Sequence, residues 1–386
     1  MDNLRIAITG WGGISALGLN SETVWNKYLD NQHYFTKREF NSRKEWCAPL
    51  SAECKANIVA LSSEKPQYRQ LDPSVLYAIA ASRIAVQQAG WDKHSAFGIN
   101  IGSSRGATTT FEKYHTQFIE SNGQFVSPST SPTTTLGNIA SWVAVDAGAN
   151  GPAISHSITC STALHAVANA AAWLKSGLCS RFLVGGSEAP LTAFTIAQMK
   201  ALRVYSSLND LYPCRSMDLS KKQNSMILGE GAASFCLELK PDDGLAYITG
   251  IGYGTESIDH GAAISANALC LQQSMLMAIK GVNVETVDAI ILHSPGTIKG
   301  DDSEMNAIKA VFGQYKPLLT SNKWKIGHTF GASGAFSMEM ALLMLKNNRF
   351  IQPPYLVQQD SNRTLKRILV NAVGFGGNAV SVLIEK

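Results

Sequence analysis

No two of the seven cysteines stand in Cys-x-x-Cys spacing, and their number is odd. A structural zinc site or a disulfide framework is therefore not expected, and a reducing, cytoplasmic setting is. Charge is also scarce. Only 16% of the 386 residues are Asp, Glu, Lys or Arg, and the net charge is +4. That balance is too mild for a nucleic-acid surface. The sequence lacks any run of about 18 apolar residues, so no membrane-spanning helix is expected. Its longest apolar stretch, 139–154, is broken by Asp146, Gly148 and Asn150. The opening Met1-Asp2-Asn3-Leu4-Arg5 leads into a glycine-broken run and does not read as a secretory leader. No low-complexity linker divides the chain.

What the chain does have is apolar mass. Hydrophobic residues make up 45%, and a chain of this length exceeds what one small core accommodates, so two cores or one large layered body are expected. Two halves, 1–245 and 246–386, repeat a plan. Ile8-Thr9-Gly10 and Ile248-Thr249-Gly250 are the same tripeptide, each ending a β-branched run and each followed by more glycines. Both read as strands stopped by glycine. Apolar helical patterns follow at 74–89 and 264–280, then short strands at 98–102 and 289–293, then apolar stretches at 161–175 and 335–345. Alternating strands and helices predict an α/β fold with mostly parallel central strands. Helices apolar all round would lie between two sheets.

Cys160 lies between a β-branched stretch and the Ala-rich helix expected over 161–175. Ser157 or Thr159 could cap that helix. A thiol at a helix N-terminus feels the positive end of the macrodipole, which lowers its pKa, and nearby N–H groups can bind an oxyanion. The plainer reading is an inert buried cysteine. Two histidines weigh against it. His293 ends a strand and enters Ser294-Pro295-Gly296-Thr297, and His328 is framed by Gly327 and Gly331. Either alone would more often be structural; with a helix-tip cysteine they suggest nucleophilic catalysis.

These residues resemble the β-ketoacyl-[acyl-carrier-protein] synthases of the thiolase superfamily. Thr159-Cys160-Ser161 resembles the nucleophile motif, and His293–Asp301 the histidine–glycine–threonine loop. Lys323, Gly327-His328 and Gly331-Ala332-Ser333-Gly334 resemble the second histidine motif. Leu228-Gly229-Glu230-Gly231-Ala232 and Gly374-Phe375-Gly376-Gly377-Asn378 resemble the central and C-terminal glycine loops. The motifs occur in the family's order over nearly the whole chain.

The resemblance implies a thiolase fold: two pseudo-symmetric halves in a five-layer α-β-α-β-α sandwich, assembled as a homodimer or as a heterodimer with another ketosynthase-like subunit. It implies decarboxylative condensation of a malonyl group with an acyl group on Cys160, in fatty acid, polyketide or aryl-polyene synthesis. His293 and His328 would assist decarboxylation, Lys323 would tune their field, and Phe375 would gate the site. Thr297 and Gly376 would hold substrate. No metal or dissociable cofactor is implied; phosphopantetheine would arrive on the acyl carrier protein. Arg203, Arg215, Lys221, Lys222, Arg363, Lys366 and Arg367 could meet that acidic partner.

The chain departs from the family in places. Pro295 stands where a threonine is usual, and Ser337 where a glutamate is. Glu339 would face about 200° away on a helix. Lys221–Met226 lacks the usual arginine and Gly-Phe step, and the chain looks short around 255–265. Such drift also suits a weakly active or non-catalytic chain-length-factor subunit. A degradative thiolase is disfavoured because no cysteine follows Cys270.

Overall fold

The computed structural model describes residues 5–92, 96–239, 242–257 and 264–386. The residues behind the leader reading, Met1–Leu4, and most of the short segment at 255–265 lie outside that range.

Ten strands and six long helices carry the architecture. The first half contributes β1 (Ile6–Ile14), α1 (Pro73–Gln88), β2 (Gly98–Gly102), α2 (Asn138–Ala147), β3 (Ala153–Ile154), α3 (Thr162–Lys175), β4 (Arg181–Glu188) and β5 (Gly231–Leu239). The second contributes β6 (Ala246–Thr255), α4 (Leu269–Ala278), β7 (Ala289–Ile291), α5 (Ile298–Phe312), β8 (Leu318–Thr320), α6 (Ser333–Asn347), β9 (Arg367–Gly374) and β10 (Asn378–Glu385). The strands run β8-β7-β9-β10-β6-β1-β5-β4-β2-β3. Outward from the β1/β6 seam, both halves follow one order: β1-β5-β4-β2-β3 and β6-β10-β9-β7-β8. Ile6–Ile8 pairs antiparallel with Ile248–Ala246 at that seam, joining the echoed tripeptides.

In each half β5 or β10 runs against its neighbours, while the other strands share one direction. The expected parallel centre therefore holds with one reversed strand per half. Helices α1 and α2 cover one face of the first sheet, and α4 and α5 one face of the second. Between the sheets lie α3 and α6, packed against strands of both. The result is the α-β-α-β-α sandwich. Residues 333–345 of α6 are buried without interruption, as a helix between two sheets requires.

One reading is corrected. The glycines of the echoed strands do not stop them: β1 runs on to Ile14 and β6 to Thr255. A Cβ at Gly12 would strike the carbonyl of Ala81 in α1, and one at Gly250 that of Ala278 at the end of α4. The glycines let helix backbone lie directly on strand backbone.

Candidate active site

The turn that carries Cys160 is built by strain and by its neighbours. Thr159 is held at φ +47°, a conformation costly for a β-branched residue. It is fixed from two sides. Its hydroxyl donates to the Phe375 carbonyl at 3.2 Å, and its own carbonyl accepts from Thr162 Oγ1 at 2.6 Å. Thr162 Oγ1 in turn accepts from the Ile158 N–H at 2.9 Å. Helix α3 thus starts at Thr162 with Ser161 as N-cap and no side-chain cap bond. The expected caps do other work: Ser157 donates to the Ser104 carbonyl, and Thr159 docks the glycine loop.

Cys160 is buried. His328 Nε2 lies 3.1 Å from its sulfur. The His293 and His328 rings meet edge to face with centroids 5.1 Å apart. The donor atoms of all three residues fall within 4.8 Å of one another. One residue comes from the first half and two from the second.

The expectation of a thiol acidified by the helix is overturned. Burial pushes the Cys160 thiol up to about 12, and the Glu188 carboxylate adds to this. Lys323 and Arg105 oppose it, more weakly. Burial, then Lys323, holds His328 down to about 3. His293 is also lowered, by burial, His328 and Lys323 in that order. The site at rest is a neutral thiol beside two neutral imidazoles. Three such donors could hold a soft metal ion, but the ammonium of Lys323 opposes adding a cation here.

Lys323 itself is buried, and desolvation lowers it to about 8. Its Nζ donates to Asn322 Oδ1 at 3.1 Å. It is not among the residues lining the cavity. What reaches His328, His293 and Cys160 from it is its charge.

The His293 loop is anchored by α5. Glu304 accepts the N–H groups of His293 at 3.0 Å and Ser294 at 2.8 Å. Asp301 accepts from Gly296 N–H at 3.0 Å and Met217 N–H at 2.8 Å. Lys221 pairs with Asp301 at 2.8 Å, and both are almost fully buried. Lys221 therefore cannot belong to an exposed carrier-binding face. It holds the loop where the family's arginine is missing. Asp301 and Glu304 were not singled out in the sequence; their spacing of three residues just inside a helix start was the available signal.

A cavity of about 660 Å³ opens onto Cys160, His293 and His328. Asn224, Pro295, Thr297, Lys299, Phe330, Gly374 and Phe375 are among its walls. Thr297 lines it while its Oγ1 accepts from Gly300 N–H at 3.2 Å as the N-cap of α5, which leaves its hydroxyl hydrogen to donate. Phe375 is 42% exposed at the cavity. Gly376, at φ +90°, is not among the lining residues; Gly374 takes that place. A Cβ at Gly374 would strike Thr159 Oγ1 and come within 3.0 Å of the Cys160 nitrogen. Glu339 turns away to pack by Gly13, and Ser337 stands buried with an unpartnered hydroxyl.

The carrier-facing list also changes. Arg203 and Lys222 are exposed, and Arg203 sits between the lining residues Leu202 and Val204. Arg215 is tied to Asp218. Lys366 and Arg367 begin β9, whose other end abuts Cys160. An eight-residue strand spans roughly 25 Å, which puts those cations far from the site.

The sequence matches two family descriptions: "Beta-ketoacyl synthase, N-terminal domain" over residues 3–243 and "Beta-ketoacyl synthase, C-terminal domain" over 245–355. It is 27% identical to 3-oxoacyl-[acyl-carrier-protein] synthase 2 of Staphylococcus aureus strain MRSA252, over 100% of this chain and 99% of that one. The Vibrio harveyi protein of the same name is also 27% identical, with the same coverage. Among solved structures, the ishigamide ketosynthase/chain length factor superposes with TM-score 0.87 at 20% identity, covering 100% and 99% of the two chains. A beta-ketoacyl synthase from Burkholderia phymatum STM815 gives 0.85 at 22%, covering 99% of each. A cysteine and two histidines drawn from both halves of this fold, together with these matches across the chain, make it a member of the beta-ketoacyl synthase family.

Proposed function

We propose that the chain condenses a malonyl group with an acyl group held as a thioester on Cys160, both delivered on the phosphopantetheine arm of an acyl carrier protein. The contact that carries this reading is Cys160 Sγ to His328 Nε2 at 3.1 Å, with His293 beside it at the base of an open cavity.

In the first step the thiol proton passes to His328 as Sγ attacks the incoming thioester, and the carrier thiol leaves with a proton. The oxyanion of that step would rest on the N–H groups of Cys160 and Phe375, whose peptides the Thr159 hydroxyl holds together. In the second step the malonyl group loses carbon dioxide. His293 and His328 donate to the enolate oxygen, and the enolate carbon attacks the Cys160 thioester, expelling the thiolate. Neutral imidazoles suit that task in the tautomer with hydrogen on Nε2, so His328, whose Nε2 accepts the thiol proton in the first step, changes tautomer before the second. Phe375 would gate entry. Thr297 would hold the pantetheine arm, and the arm travels with the substrate rather than residing in the protein. The site thus calls for no dissociable cofactor. Lys299, which lines the cavity, and Arg203, between the lining residues Leu202 and Val204, are both exposed and suit an acidic carrier, whose binding would weaken with salt.

One solved relative is a type II PKS acyl-carrier protein in complex with its ketosynthase bound to the hexaketide. Another is a ketosynthase in complex with its chain length factor, from Xenorhabdus doucetiae. They support a carrier and a synthase-like partner here, and polyketide synthesis beside fatty acid synthesis. All seven cysteines are free thiols, which suits the cytoplasm. A subunit that only sets chain length has no need of the Cys–His–His trio.

The test is acyl transfer from an acylated carrier protein, followed by intact-protein mass spectrometry. Wild type is expected to gain one acyl adduct and Cys160→Ala none. No adduct on wild type overturns the reading. Undiminished product from a Cys160→Ala subunit paired with a second synthase would favour the chain-length role instead.

A further inference from the structure

The cavity at Cys160 has a mouth and a closed inner end. Leu202, Lys299 and Phe375 line it and are exposed, so a pantetheine arm would enter on that side. Cys160, Met199, Met226 and Phe330 line it as well and are buried. They pack in one cluster with Ile196, Tyr205 and Leu228, which are buried and do not reach the cavity. Arg105, whose guanidinium carbon lies 5.6 Å from the centre of the Phe330 ring, does not reach it either. The inner end is thus closed by Met199, Met226 and Phe330, with buried protein behind them. With the arm in the mouth, an acyl group on the sulfur has this end to occupy.

The three closing side chains differ in stiffness. Met199 and Met226 are unbranched thioethers, which change rotamer readily and yield to a ligand. Phe330 has no such freedom. The Arg105 guanidinium lies over its ring, and the His328 ring meets it with centroids 5.4 Å apart at 58°. Its backbone is held at φ +42°, a conformation costly for so bulky a side chain. The next peptide is fixed: Gly331 N–H donates to Glu188 Oε1 at 3.0 Å. Ala332 N–H closes the turn on the Thr329 carbonyl at 3.0 Å. Nothing in the condensation steps calls for a phenyl ring here. A ring kept in place against backbone strain points to a wall whose position matters.

We propose that Phe330 is the stop that sets acyl length, so that Cys160 accepts short acyl groups and rejects chains that would have to pass the ring. The methionines adapt to the shape of whatever enters, and the phenyl ring limits how far it reaches. The inference rests on the acylation of Cys160 and deepens it to a substrate class.

Butyryl and decanoyl thioesters of pantetheine test it. Adduct formation on the full chain is followed by intact-protein mass spectrometry, and the ratio of the two loading rates is the readout. Wild type is expected to load butyryl faster by roughly tenfold or more, since a single methylene too many in a closed apolar pocket already costs about that much. Phe330→Leu should narrow the ratio, and Phe330→Ala should bring decanoyl loading level with butyryl. Met199→Ala should change the ratio less than Phe330→Ala does. A thermal melt checks that each variant is folded, and Phe330→Leu carries the test if Phe330→Ala is not. Equal loading of both thioesters by wild type, an unchanged ratio in the folded Phe330 variants, or a larger effect from Met199→Ala overturns the inference while leaving Cys160 acylation standing. No adduct from either thioester overturns the acylation reading and the inference with it.

Discussion

At the level of single residues, the decisive fact is that burial wins over the helix terminus. A thiol pushed up to about 12 is almost wholly protonated at neutral pH, and in the mechanism proposed above its reactivity depends on His328 as proton acceptor. His328→Ala should therefore slow alkylation of Cys160 by iodoacetamide at pH 7 by about 10²-fold or more, read from the Cys160 peptide by mass spectrometry. An unchanged rate would return the activation to helix α3. Lys323 supplies a second prediction. Its charge helps keep both histidines neutral, so in Lys323→Met they should protonate at higher pH. The acid limb of the acylation rate should then move upward, since a protonated His328 cannot accept the thiol proton. Burial remains the larger cause of the lowering, so the shift is partial. A limb that stays put or moves down would contradict this. Lys323 titrates near 8 in the folded chain, below its unfolded value near 10.4. Its burial penalty is therefore greatest below pH 8 and fades as pH rises from about 8 to about 10.4.

At the level of elements, the His293 loop is held by the first turns of α5 rather than by its own sequence. Lys221→Met would leave Asp301 buried and uncompensated, at a cost of about 3–5 kcal/mol. Adding Asp301→Asn should recover part of it. Denaturant midpoints of the single and double variants measure both effects, and additive losses would show that the pair is not coupled. The element also shows where the sequence stopped being legible. Strand and helix order, the sandwiched α6, and Cys160, His293 and His328 could be read because periodicity and glycine framing are local signals. The ion pair Lys221–Asp301 spans 80 positions, so only folding reveals it, and Lys221 on its own looked like a surface cation. The glycines of β1 and β6 were misread as strand ends for the same reason. What they accommodate is the backbone of a helix placed elsewhere in the chain. The capping of α3 was misread because Ser157 and Thr159 donate their hydroxyls to the carbonyls of Ser104 and Phe375, far away in the chain, and the helix starts with no side-chain cap bond.

At the level of the whole molecule, two halves with one strand order meet at the β1/β6 seam and bring a cysteine from one to two histidines from the other. That arrangement leaves one part of the first half unsatisfied. Between β2 and β3, Phe111, Ile119, Phe125 and Leu136 are each 58–60% exposed. Four large apolar side chains so exposed in one connection are unusual for a surface meeting only water. Leu136 Cδ2 also lies 3.4 Å from where a Gly106 side chain would begin, next to Arg105. The occupant that fits is another chain of this fold. The protein should therefore sediment as a dimer, with itself or with a synthase-like subunit expressed alongside it. Phe125→Asp should shift it to monomer without lowering its melting point by more than a few degrees, because Phe125 is already 59% exposed in the single chain. If the partner also shapes the pocket, the same variant should load acyl groups more slowly while Cys160 still reacts with iodoacetamide at the wild-type rate. A wild-type chain that remains monomeric under both expression conditions, with Phe125→Asp indistinguishable from it in loading, would mean that the apolar connection serves some other purpose and that the pocket is complete within one chain.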